Sequence, residues 1–343
     1  MTRRAVSAMV HASLPMLRRL DPELAHDVGL AALRWLRPLM PAPAMAAQRV
    51  SCFGIDFVHP LGLAAGFDKN GDYLDALGSL GFSHIELGTV TPRAQPGNPK
   101  PRMFRVPGSC ALINRMGFNN KGVDHLVARL SRSRYSGIRG ISIGKNFDTP
   151  LESAQDDYVA CLRKVYPFAH YVAVNISSPN TARLRDLQAG DGLQRILTGL
   201  LEERAVLQRT HGRRTPLLVK VAPDLDASQI SVLAGELRRL EIDGVIATNT
   251  TTDRGMLGNL PPAGQSGGLS GAPLHAKSIA VIAQLRAELG SGFPIVGVGG
   301  IVNADNALAT LRAGANLLQL YTGFAYRGPA LLEEILQALQ SKP

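Results

Sequence analysis

The stretch Asn175-Ile176-Ser177-Ser178-Pro179-Asn180-Thr181 follows the apolar run "YVAV" and sets polar side chains and a proline where a buried strand should end. Asn, Ser and Pro are turn formers, so a polar turn is the plainest reading. The Ser178 hydroxyl and the flanking amides are also groups that exchange protons and hold polar rings. Two lysines, Lys69 and Lys220, are read as standing within otherwise apolar strands, at their ends. A lone buried ammonium is very costly, so each must be paired or functional. Asn114, Asn175, Asn180 and Asn249 each offer a donor and an acceptor. Brought together, they suit a flat ring with alternating N–H and C=O groups, such as a pyrimidine, with Lys69 available for a carboxylate. Capping of turns is the plainer role for Asn114 and Asn180. The glycines of "SGGLSG" (266–271) and "GVGG" (297–300) let backbone N–H groups approach an anion closely.

These residues need a scaffold, and the chain carries a regular one. Eight short apolar runs alternate with amphipathic segments: 61–67, 84–90, 140–146, 171–177, 216–222, 244–250, 294–300 and 316–322. Near-continuous apolar strands separated by helices signal a parallel sheet covered on both faces. Eight units predict an α/β fold of the (β/α)8 TIM-barrel type. The spacing of Ile230, Leu233, Leu237 and Leu240 predicts a helix over 226–240, and an Asn cap opens another over 303–314. In such a barrel the site lies at the C-terminal ends of the strands, and a phosphate is often held after strands seven and eight. Reading those ends gives Asp68-Lys69, Thr89, Lys145-Asn146, the 175–180 stretch, Lys220, Thr248-Asn249-Thr250, Gly299-Gly300 and Tyr321-Thr322. No Walker or dinucleotide fingerprint occurs, which favours a phosphate-bearing mononucleotide over ATP or NAD.

Two parts break the rhythm. Residues 91–119 form a long Pro/Gly-rich excursion, the kind of loop that serves as a lid or binding loop. Residues 1–48 precede the barrel (49–343) as an N-terminal helical extension of two segments broken near "LDPE". Val6, Met9, Val10, Leu14 and Leu17 are apolar in the first, and Leu24, Val28, Leu33 and Leu36 in the second. Arg3, Arg4, Arg18, Arg19, Arg34 and Arg37 flank them. Pattern alone allows a hairpin packed on the barrel or an amphipathic membrane-surface element, and favours the first.

Composition bounds the function. The net charge is +10 with 29 of 37 basic residues being arginine, which suits acidic small molecules, an anionic membrane or nucleic acid. No run of five or six basic residues occurs, which weighs against nucleic acid. Three well-separated cysteines, without C-x-x-C or zinc-finger spacing, argue for a reduced compartment and no structural metal. No apolar run reaches about 18 residues, so no spanning helix is expected.

The stretches "LGLAAGFDKNG", "IELGTVTPRAQPGNPKPRMFR", "INRMGFNN", "NISSPNT", "VKVAPDL", "GVIATNTT", "GGLSG", "VGVGGI" and "QLYTGF" run through the whole barrel in order. With the N-terminal extension, the chain resembles the membrane-associated, quinone-linked class of dihydroorotate dehydrogenases. The resemblance implies FMN on the barrel mouth and oxidation of dihydroorotate to orotate in de novo pyrimidine (UMP) biosynthesis. It implies flavin contacts from Ala65, Gly66, Phe67, Asp68, Lys69, Thr89, Asn175, Lys220 and Thr248, and phosphate contacts from Gly271, Gly300, Tyr321 and Thr322. Substrate contacts would come from Lys69, Asn114, Arg115, Met116, Gly117, Phe118, Asn175, Asn180, Asn249 and Thr250. Lys220 beside the ring would stabilise the charge of reduced FMN. Ser178 stands at the position of the base, which takes a proton from C5 while C6 passes a hydride to the flavin. The soluble classes carry cysteine there.

A quinone tunnel is implied near Arg105 and Tyr321, with the 1–48 segment giving membrane and quinone access. Also implied are a monomer, no metal, no nucleic-acid partner, and peripheral attachment to the cytoplasmic face of the cell membrane. Two positions depart from the pattern: Ser142 stands where a flavin-contacting Asn is usual, and Arg183 where a glycine is usual. Three rival classes remain: a flavin-dependent tRNA reductase, a barrel lyase using Lys220 as a Schiff base, and a scaffold protein.

Overall fold

A computed structural model describes residues 9, 12–39, 48–181, 183–188, 190–258 and 260–340. Of the expected first segment, Arg3, Arg4, Val6 and Val10 lie outside the described residues. A hairpin, β1 (Val50–Cys52) and β2 (Ile55–Phe57), leads into β3 (Leu61–Leu63) and β4 (His84–Val90). Two strands of the excursion follow, β5 (Met103–Val106) and β6 (Ala111–Asn114), then β7 (Ile138–Ile143), β8 (Tyr171–Asn175), β9 (Leu217–Val221) and β10 (Gly244–Ala247). After β11 (Gly268–Gly271) come β12 (Ile295–Val298) and β13 (Leu317–Leu320). Eight of them close a parallel barrel in the order β3-β4-β7-β8-β9-β10-β12-β13. Each of the eight apolar runs supplies one strand.

Successive strand residues point to opposite faces, and the core divides accordingly. Val172, Val174, Leu217, Val219 and Val221 join the large cluster that includes the surrounding helices. Tyr171, Ala173, Leu218, Ile246, Val296 and Leu317 form a second cluster together with Cys52 and Phe57 of the hairpin. The hairpin therefore plugs the N-terminal end of the barrel. Phe57 lies 5.2 Å from the His84 ring and Phe53 lies 5.6 Å from Tyr171. The expected helices form: Asp226 and Gln229 make a capping box for Ala227–Arg239, and Asn303 caps Ala304–Arg312.

The excursion is partly regular. β5 and β6 pair with each other, and β11 pairs with β6, so "GLSG" is a strand and not a loop. Its register sets Asn114 opposite both Met103 and Gly268, at the barrel mouth. Beyond it, residues 12–17 are helical, and a second helix, Pro22–Leu36, starts at Asp21, whose carboxylate accepts from the N–H groups of Glu23 and Leu24. Ala25, Leu30 and Leu33 are buried, and Glu23 pairs with the buried Arg102 at 2.6 Å. Leu24, Val28, Trp35 and Leu39 face outward instead, Trp35 at 81% exposure. The second segment thus has two apolar faces, one against the barrel and one free.

Candidate active site

The alternation that builds the barrel also fills its mouth. Inward positions near the strand ends are Asn175 on β8, Lys220 on β9 and Gln319 on β13, with Thr248 and Tyr321 one step beyond β10 and β13. All line one cleft of about 1010 Å³, counted out to its mouth. Beneath them sits Glu86, wholly buried, accepting from Gln319 Nε2 at 2.8 Å and Tyr171 Oη at 3.1 Å. Its other oxygen lies 3.6 Å from Lys220 Nζ. The lysine in the apolar strand is therefore paired. Lys69 donates to Asn119 Oδ1 at 2.8 Å, and burial, then the nearby Arg102 charge, pull its ammonium down to about 8.

The four asparagines meet in this cleft. Asn180 Nδ2 donates to Asn114 Oδ1 at 3.2 Å, and Asn249 Nδ2 donates to Ser177 Oγ at 3.0 Å. Asn175 Nδ2 donates to Thr89 Oγ1 at 2.7 Å. Ser178 also lines the cleft and is 6% exposed. Its Oγ accepts the Asn180 N–H at 3.2 Å, and among the described residues no imidazole or carboxylate bonds to it. An N–H aimed at the oxygen favours its ionised form. Thr250 Oγ1 and Gln319 Oε1 are buried without a hydrogen-bond partner, and both residues line the cleft.

Gly271, Gly300, Tyr321 and Thr322 gather at one wall, with Gly299, Ser270 and Gly323. Gly300 takes φ +74, and a Cβ there would sit 2.4 Å from the His275 backbone nitrogen. Only glycine turns the chain at this point. Ala65, Gly66, Thr89, Met116, Gly117 and Phe118 complete the lining.

Three expected contacts do not reach the cleft. Asp68 is buried and accepts the N–H groups of Asp72 and Tyr73. Arg115 turns away, stacking 4.8 Å from the Phe104 ring and bonding Gln265 and the Pro101 carbonyl. Phe67 packs on Tyr321 and Phe324 on the other side. Lys145, at a strand end, bonds the Asn146 and Thr149 carbonyls instead. Ser142 is wholly buried, its hydroxyl 2.8 Å from Thr89 Oγ1, so it supports Thr89 from behind. Arg183 takes φ +53, the left-handed region a glycine enters freely, and its guanidinium pairs with Asp186. Glu86 and Gln319 were not anticipated. The signal for Glu86 was present, a lone carboxylate inside "HIELGTV".

A second cavity, about 1340 Å³ out to its mouth, runs between the N-terminal helices and the barrel. Leu14, Leu17, Leu30, Leu33, Phe67 and Phe324 make it apolar, and Arg105 and Tyr321 both line it. Arg105 donates to the Leu20 carbonyl at 2.6 Å. Tyr321 is shared with the polar cleft, so one residue stands between the two cavities.

Comparison with known proteins agrees with this arrangement. The family profile described as dihydroorotate dehydrogenase matches residues 47–342. A protein named dihydroorotate dehydrogenase (quinone) from Methylobacillus flagellatus is 53% identical over 330 residues, covering 95% of this chain and 98% of its own. Its namesake from Methylococcus capsulatus is also 53% identical, over 333 residues, with the same coverage. Among solved structures, a dihydroorotate dehydrogenase from Eimeria tenella in complex with ferulenol superposes with a TM-score of 0.85. It is 36% identical and covers 93% of this chain and 90% of that one. A profile spanning the barrel and relatives at this identity over nearly the whole length leave one assignment: the chain belongs to the dihydroorotate dehydrogenase family.

Proposed function

We propose that the protein oxidises dihydroorotate to orotate, with FMN as its flavin and a membrane quinone as the final acceptor, in pyrimidine biosynthesis. The observation that carries this reading is Tyr321, one residue lining both the polar cleft and the apolar channel. A two-electron carrier placed beside it would serve a polar substrate on one side and an apolar acceptor on the other.

The residues present fit FMN. Gly271, Gly300 and Thr322 offer backbone groups for a phosphate, and Gln319, Thr89 and Lys220 offer polar atoms for a flat ring. The unpartnered Gln319 Oε1 is an acceptor still to be satisfied. When bound, FMN would accept the hydride from C6 of the substrate and pass electrons on to the quinone.

The chain's own groups do the rest. Lys69 supplies a cation for the substrate carboxylate, and the amides of Asn114, Asn180 and Asn249 match the N–H and C=O groups of its ring. The unpartnered Thr250 hydroxyl supplies a further bond. Ser178 takes the proton from C5. Serine is a weak base at neutral pH, so its burial and the Asn180 N–H must favour the alkoxide as the proton leaves. Lys220, anchored by Glu86, holds a fixed positive charge at the cleft floor.

Residues 1–48 form the membrane and quinone-access unit, and 49–343 the catalytic barrel. No helix among the described residues is long and apolar enough to cross a membrane. Of the twelve exposed large hydrophobics among the described residues, seven fall between Met9 and Leu39, which supports peripheral contact through this segment. We assign the protein to the cytoplasmic face of the cell membrane, as a monomer. The test is anaerobic mixing of the purified protein with dihydroorotate while flavin absorbance is followed. Bleaching, reversed by quinone, is expected; an unbleached flavin or a colourless protein overturns the proposal.

A further inference from the structure

After the Ser178 loop the chain makes a short 3-10 turn, Leu184–Gln188, with Leu184 and Leu187 buried beneath it. Arg185 points from this turn into a gap between the loops after β8 and β10. Its guanidinium satisfies three acceptors at once. Nε donates to the Ser177 carbonyl at 3.1 Å, Nη2 to the Thr250 carbonyl at 2.7 Å, and Nη1 to Asp224 Oδ2 at 2.7 Å. Asp224 is itself fixed by Lys277 at 2.7 Å, by the Thr252 N–H at 3.0 Å and by the Thr251 hydroxyl. Burial would raise its carboxyl, but these bonds outweigh it and hold it at about 2, so it stays charged. Gln188 fastens the far end of the turn by accepting the Ala222 N–H at 2.8 Å.

The two carbonyls gripped by this fork are not arbitrary. One belongs to the residue before Ser178, the other to Thr250 itself, on different walls of the cleft. On the inner side the same loops are joined by the Asn249–Ser177 bond, and Arg185 braces them from outside. Arg185 is not among the residues that line the cleft, so it is placed to act through the two loops it braces. We propose that Arg185 is a positioning residue for proton abstraction, fixing the span between the Ser178 base and the Thr250 side of the substrate pocket. This rests on the assignment of Ser178 as the base. A planar fork that meets three fixed acceptors sets distance and angle together, which a lysine cannot do.

The test uses the FMN-loaded full-length protein and separates the half-reactions by anaerobic stopped flow. Arg185→Ala is expected to slow flavin reduction by dihydroorotate by about 10²-fold, the effect of a small misplacement at a reacting centre. Flavin content and reoxidation by quinone should stay within about twofold of wild type, since neither involves the braced loops. Added guanidinium ion should restore at least about tenfold in Arg185→Ala and leave wild type unchanged, a response that general loosening of the fold does not give. Arg185→Lys should recover only part of the loss and guards against an alanine variant that fails to fold. Wild-type reduction in Arg185→Ala, or an equal loss of both half-reactions without guanidinium rescue, overturns the proposal. Ser178→Ala, run in parallel, separates the two ideas: if it too reduces flavin at the wild-type rate, the base assignment fails and this proposal with it.

Discussion

The pair beneath the cleft permits a worked prediction. Lys220 Nζ and Glu86 lie 3.6 Å apart, at 7% and 0% side-chain exposure. At that distance and an effective dielectric near 20, the attraction is about 4–5 kcal/mol, which is offset by the desolvation of both ions. The pair is thus of small net worth, but breaking it is not small. Glu86→Gln keeps the shape and leaves an uncompensated ammonium at the barrel floor, at a cost of about 3–5 kcal/mol. Lys220→Met leaves the carboxylate with only Tyr171 and Gln319 as donors and should cost a similar amount. The double variant removes both charges and should be more stable than either single one, with a coupling of at least about 2 kcal/mol. Urea unfolding of all four proteins at one FMN concentration reads this, after correction for each variant's measured FMN affinity. Single losses that add within about 0.5 kcal/mol would show that the two groups do not act as a pair.

Orotate affinity should depend on pH through Lys69. Its ammonium titrates near 8, so binding of the anionic ligand should weaken as pH rises through and above that value, toward tenfold per unit. Spectral titration should show this in wild type, and Lys69→Met should bind weakly with no such break. Removal of residues 1–48 should abolish membrane co-sedimentation and turnover with a long-tailed quinone, while dihydroorotate still bleaches the flavin. Undiminished long-tail turnover would reduce the segment to a cap on the barrel.

The barrel was legible because its strands are largely buried on both sides and read as near-continuous apolar runs, as at "YVAVN" and "LLVKV". The asparagine set was legible because strand ends in such a barrel must converge. Long-range partners were not. Glu86 meets Lys220 only because β4 and β9 face each other across the barrel interior, which no local spacing encodes. The pairing of β11 with β6 joins segments more than 150 positions apart, and the glycines of "GLSG" disguised the strand. The N-terminal pattern gave Leu24, Val28, Leu33 and Leu36 as the apolar residues of the second segment, without saying which of them meet the barrel. The structure splits them, with Leu33 buried and Leu24 and Val28 exposed, because the barrel meets only one side of the helix. Arg115 was placed in the substrate site by its neighbours in "INRMGF", yet it directly follows β6, and its side chain leaves on the side away from the cleft, toward Phe104 and Gln265.

The most direct test of the account is the rate at which dihydroorotate reduces the flavin of Ser178→Ala, measured anaerobically by stopped flow at equal FMN loading and orotate affinity. With Ser178 as the base, the rate should fall by about 10²–10⁴-fold. A wild-type rate would mean that another group takes the C5 proton and that "NISSPNT" is no more than a turn.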